Sequence, residues 1–188
     1  MIDQEIIAYS GTKGLHKQTL DRWLKLAEVD RQALWDLVQE LKLGENHLRD
    51  FLDWLEEIAL RDGGSLSAVL KGESLRRISS DPRLGRSDKL KRVKEELRRI
   101  RFPRLARMEE AIFRRIHDLK LKPQIQITVP PGLEGRVLTL QIKINSYEEL
   151  KRSVDELGQA LENEAMREIF ALLEGRTEKL VAEQVLKG

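Results

Sequence analysis

Gln124-Ile125-Gln126-Ile127-Thr128-Val129 and Leu138-Thr139-Leu140-Gln141-Ile142-Lys143-Ile144 decide the reading of this chain. Both alternate polar and apolar residues, the period of a half-buried strand, in a chain whose other apolar residues recur at helical spacing. They are joined by Pro130-Pro131-Gly132-Leu133-Glu134-Gly135-Arg136, a stretch rich in turn formers. The pair therefore reads as a hairpin with one apolar face, made of Ile125, Ile127, Val129, Leu138, Leu140, Ile142 and Ile144.

A helix is expected on each side of this hairpin. Leu105, Met108, Ile112, Phe113 and Ile116 mark one that runs to about Leu119. Ser146 and Glu149 form a capping box that opens the other. There Leu150, Val154, Leu157 and Leu161 step by four, three and four, the spacing of a coiled-coil seam. A last helix is read over Glu164 to Leu173, with a frayed tail after Gly175. A two-stranded hairpin is marginal alone and leaves its edges unpaired. Pairing two copies across a two-fold axis removes an edge from each, so a dimer is expected here. Packing within one chain is the rival.

Upstream, the chain reads as helices. A short one over residues 4–10 is broken by Gly11-Thr12-Lys13-Gly14. A second starts at His16, with Leu20, Trp23, Leu24 and Leu26. A third runs from Asp30 to Leu43 with Gly44 as its C-terminal cap. Asn46 caps a fourth, His47 to Leu60, which Gly63-Gly64 ends. Ser65 opens a short helix to Leu70. Ser79 to Ser87 is the best linker. After it Leu90, Val93, Leu97 and Ile100 line one side of a basic helix, Asp88 to Phe102, which Pro103 interrupts. The expected fold is mainly α: a helical region over 1–78, a basic linker and helix over 79–103, an αββα dimerisation unit over 104–175, and a tail over 176–188.

Charge is distributed unevenly. The whole chain is +2, but residues 71–122 carry 18 Lys/Arg against 8 Asp/Glu, between two acidic flanks. Local charge is what a phosphate backbone meets. Arg83, Arg86, Lys89, Lys91, Arg92, Lys94, Arg98, Arg99, Arg101 and Arg104 are the candidate phosphate contacts. The competing reading is that the acidic flanks of the same chain neutralise this helix.

Catalytic motifs are not found. His16, His47 and His117 sit in no metal-binding spacing, and the chain has no cysteine. Glu56-Glu57, Glu95-Glu96 and Glu109-Glu110 are adjacent on helices, so each pair points about 100° apart. Gly11-Thr12-Lys13-Gly14 lacks the spacing of a phosphate loop. No enzyme activity, cofactor or metal is expected. The start of the chain does not read as a signal peptide and no apolar run is long enough for a bilayer, so a cytoplasmic protein is expected.

Read in order, several pieces resemble the bacterial ParB partition family. Glu5-Ile6-Ile7-Ala8 through Thr19-Leu20-Asp21-Arg22-Trp23-Leu24-Lys25-Leu26 is similar to that family's helix-turn-helix. Leu41 to Arg49 and Asp62 to Leu70 resemble the elements that follow it. The helix, two strands and Tyr147-Glu148-Glu149-Leu150-Lys151-Arg152 resemble its C-terminal dimerisation module. The family's nucleotide-binding segment, with its arginine box, has no counterpart in this sequence, so CTP binding is not implied. The turn at Gly11 to Gly14 reads as longer than the family's. The resemblance implies a DNA-binding dimer on the nucleoid, acting in partition or transcriptional regulation. It places Lys13, His16, Lys17, Gln18, Thr19 and Arg22 near the major groove, with Gln18 or Arg22 reading bases. Two other functions remain open: an adaptor whose basic helix binds an acidic protein, and an RNA-binding factor.

Overall fold

The structure is a computed structural model, and it describes residues 2–176. The expected tail therefore lies, from 177 on, outside the described residues. The chain is mainly α-helical with one small antiparallel sheet, and it divides into two compact units, Met1–Phe102 and Pro103 onward.

The first unit is all helix. α1 spans Ile2–Lys13 and α2 spans Lys17–Lys25. Gly11 does not break α1, contrary to the sequence reading. One glycine costs a helix only about 1 kcal/mol relative to alanine. The burial of Ile6 and Ser10 keeps the helix continuous past it. Gly14, at φ 63°, is the true stop, and the Leu15 amide closes the end on the Ser10 carbonyl at 3.0 Å. The turn between α1 and α2 is thus only three residues, Gly14 to His16, and not the longer one expected.

α3 covers Glu28–Leu41 and α4 covers Glu45–Asp62. The expected caps between them are shifted. Lys42, at φ 53°, takes the left-handed position that ends α3, while Gly44 is the N-cap of α4 and Asn46 lies inside it. Gly63, at φ 64°, ends α4 as read. Ser65 caps α5, Leu66–Leu70, by accepting the Ala68 amide at 3.2 Å. The buried Asp30 carboxylate accepts the Ser67 amide at 2.8 Å, so α3 holds the start of α5.

The segment read as a linker, Ser79 to Ser87, keeps a non-helical stretch at its centre, but helices reach into both of its ends. α6 spans Glu73–Ser80 and α7 spans Arg86–Arg101, leaving five residues between them. α6 escapes sequence reading because Leu75 and Ile78 are its only apolar residues. Val93 and Leu97 of α7 are buried, and Leu90 and Ile100 pack beside them against a core built from Leu34, Val38, Phe51, Leu55 and Ile58. The basic helix is therefore a structural member of the first unit rather than a connector.

The second unit opens with Pro103, which starts α8 (Pro103–Asp118) instead of merely interrupting α7. Its missing amide is harmless at a first helical position. β1 (Ile125–Thr128) pairs antiparallel with β2 (Thr139–Ile142), with Ile125 opposite Ile142 and Ile127 opposite Leu140. α9 (Tyr147–Glu162) follows, its N-terminus capped by Ser146 through the Glu149 amide at 3.2 Å. Glu149 in turn accepts the Asn145 amide at 2.7 Å. α10 spans Glu164–Leu173 and packs on α8. Ile112, Ile127, Met166, Ile169 and Leu172 make this unit's core. Arg115 of α8, nearly buried, meets Glu168 of α10 at 2.7 Å.

Candidate nucleic-acid and self-association surfaces

α1 and α2 are joined by the three-residue turn, Gly14 to His16. A carboxylate from outside fixes it. Glu45, at the start of α4, accepts the Thr19 hydroxyl at 2.7 Å and the His16 amide at 3.0 Å. The second of these supplies a partner for an amide that the helix start leaves unsatisfied. Trp23 is fully buried and faces the tilted ring of Trp35 at 6.1 Å.

Not all the residues that resemblance placed in the groove are available to it. Thr19 is 4% exposed and bound to Glu45. Arg22 meets Asp53 at 2.8 Å and Glu56 at 2.9 Å on α4. Burial opposes the charge of Arg22, but the hydrogen bonds to Glu56 and Asp53 outweigh it and raise its pKa. Neither side chain is free to read a base. Lys13, His16, Lys17 and Gln18 are exposed, with Asp21 and Lys25 further along α2. Lys13 lies 5.9 Å from the centre of the Tyr9 ring.

The basic helix is divided in the same way. Lys89 pairs with Glu40 at 2.7 Å, Lys94 with Asp50 at 3.7 Å and Arg101 with Glu57 at 2.6 Å. Lys94 also lies 5.6 Å from the Trp54 ring. These three cations are held by acids of α3 and α4, as the self-neutralising reading expected. Arg86, Lys91, Arg92, Arg98 and Arg99 stay exposed. Arg99 has Glu96 at 3.8 Å. Arg83 is bonded to Asp81, whose carboxyl the Arg83 guanidinium, helped by the Arg83 amide, holds down at about 2. Arg104 belongs to α8 in the other unit.

In the second unit the apolar face of the hairpin is only half covered. Ile125 and Ile127 are buried, and Val129 and Leu138 pack on the core. Ile142 is half-buried, while Leu140 and Ile144 are 46% and 40% exposed. α9 buries Ser153 and Ala160 instead of its seam. Leu157 of the seam is half-buried, and Leu150, Val154 and Leu161 are exposed, as is Tyr147. Nine large apolar side chains are exposed among the described residues of this unit, against four in the larger first one, so the excess is local.

Sequence reading missed Glu45, Asp30 and the arginines of α6. The first two are ordinary surface acids by sequence, and only the fold brings Glu45 to Thr19. Arg76 and Arg77 precede an expected linker and carried no helical signal.

Among the described residues, no group of His, Asp or Glu side chains is placed to hold a metal ion, and no helix is long and apolar enough to cross a membrane. No family model, no curated protein and no solved structure matches this chain.

Proposed function

We propose that this is a non-enzymatic DNA-binding protein that works as a homodimer, in partition or transcriptional regulation. The observation that carries the reading is the α1–α2 pair. It has a three-residue turn with glycine in the left-handed position, a buried Trp23, and Lys17 and Gln18 exposed at the start of α2. In this motif the N-terminal residues of the second helix reach base edges. Gln18 suits adenine, and Lys17 suits guanine or phosphate. Asp21, one turn on, would repel phosphate, which favours presentation of α2 to bases over lying along a backbone.

The dimer is supported by the second unit. The seam steps four, three, four, and reads the same in reverse. An antiparallel copy thus sets Leu150 against Leu161 and Val154 against Leu157. Burying these residues returns about 25 cal/mol for each Å² of apolar surface removed from water. A two-fold dimer presents two α2 helices to two half-sites. Location on the nucleoid would follow from such binding.

Fluorescence anisotropy on labelled random-sequence duplex DNA tests the reading. The wild type should bind at low salt, and Lys17→Ala with Gln18→Ala should weaken binding while leaving the fold intact. Absence of binding at low salt overturns the proposal. Tighter binding of structured RNA than of duplex DNA would instead favour the RNA alternative.

A further inference from the structure

We infer that a second DNA-contacting surface lies on the hairpin of α6 and the first half of α7, and that it grips duplex phosphates without reading sequence. The inference rests on the DNA-binding reading above. It moves the phosphate contacts away from the inward side of α7, where Lys89, Lys94 and Arg101 are already held by Glu40, Asp50 and Glu57.

Residues 71–92 carry eight Lys/Arg and three Asp/Glu. Two of those acids are engaged locally, Glu73 with Arg77 and Asp81 with Arg83. Arg76, Arg86, Lys91 and Arg92 make no ion pair with another described residue, and all four are exposed. Arg76 and Arg77 line a shallow concavity with Glu73, Ser79 and Ser80. Arg76 and Ser79 also line a neighbouring cleft with Lys71 at the α5 end and Val93 of α7, and Asp36 and Glu40 of α3 line that cleft too. The Ser79 carbonyl accepts from Lys89 of α7, which ties the two helices at this point. The charge of Arg92 on α7 adds to that of Arg83 in lowering the pKa of Asp81, which lies between α6 and α7.

A duplex is the occupant that fits. It presents one negative charge per roughly 1.7 Å of axis, and its grip needs positive side chains without shape-specific pockets. Guanidinium groups take phosphate oxygens in pairs, and the Ser79 hydroxyl can donate to them. The surface has no exposed large apolar residue of the kind a protein partner buries at an interface core.

The test is the salt dependence of full-chain binding to labelled duplex DNA. The variant changes Arg76, Arg77 and Arg92 to Ala. A Lys triple variant, Arg76→Lys with Arg77→Lys and Arg92→Lys, and Lys17→Ala with Gln18→Ala serve as controls. The slope of log affinity on log salt should fall by about two in the Ala variant, because Arg77 already pairs with Glu73, with affinity roughly a hundredfold weaker near 0.1 M salt. The Lys triple should keep most of the slope, and Lys17→Ala with Gln18→Ala should lose affinity with at most about one unit of slope. An unchanged thermal midpoint in the Ala variant excludes unfolding as the cause. Binding by the wild type with an unaltered slope in the Ala variant overturns this surface and leaves the DNA reading standing. No binding by the wild type overturns both, and preferential capture of structured RNA overturns the duplex assignment.

Discussion

Glu45 accepts a hydrogen bond from Thr19 Oγ1 at 2.7 Å, so the first residue of α4 holds the first turn of α2. The same carboxylate takes the His16 amide at 3.0 Å. One side chain therefore ties the start of α2 to the start of α4. Thr19 is buried, and a buried hydroxyl left unpartnered is costly. Glu45→Ala should destabilise the first unit by about 1–2 kcal/mol. Glu45→Gln keeps an acceptor and should cost less. Urea denaturation of both variants checks the order, and equal losses would show that the contact with Thr19 does not matter.

Arg22 gives a sharper distinction. Sequence resemblance made it a base reader, whereas it pairs with Asp53 and Glu56 of its own chain. Arg22→Ala should cost roughly 0.5–1 kcal/mol of stability, because the pair is partly exposed. DNA affinity, measured where the variant is fully folded, should change less than twofold. A loss as large as that of Gln18→Ala would return Arg22 to the DNA interface.

Arg115 and Glu168 join α8 to α10 near the core of the second unit. Removing one partner strands the other charge. Arg115→Met should destabilise by about 3 kcal/mol, whereas the double change with Glu168→Met should recover most of that. Chemical denaturation of single and double variants provides the cycle, and additive losses would contradict the account.

Asp81 provides the pH dependence. Its carboxyl titrates at about 2 when folded, below its ordinary value, because Arg83 donates to it through guanidinium and amide. A depressed pKa means stability that is present above the unfolded value and lost as pH falls through the folded one. The contact should thus be intact near neutrality and weaken between about pH 4 and 2. NMR titration of the Asp81 carboxyl should give a midpoint near 2 in the wild type, returning toward the ordinary range in Arg83→Ala.

Helices with strong apolar stripes were legible in the sequence. The burial of Val93 and Leu97 in α7 and the pairing of β1 with β2 follow the expected periods. α6 was not legible, because two apolar residues in eight make no pattern and its stability comes from packing on α7. The three-residue turn was misread because Gly11 looked like Gly14. Only the fold shows that Gly11 is tolerated while Gly14 needs a positive φ. Among the candidate contacts, sequence marked the charges but not their neighbours. Arg22, Lys89, Lys94 and Arg101 are cations by composition and internal ion pairs by topology.

The most direct test of a DNA-binding dimer is sedimentation of the full chain with a fluorescent duplex, read at the dye wavelength, for wild type and for Val154→Asp with Leu157→Asp. The account predicts two chains per duplex at low salt for the wild type. The seam variant should sediment as a monomer and bind at least tenfold more weakly, through lost avidity. A duplex that sediments alone at every protein concentration, or a single wild-type chain per duplex, would contradict the account.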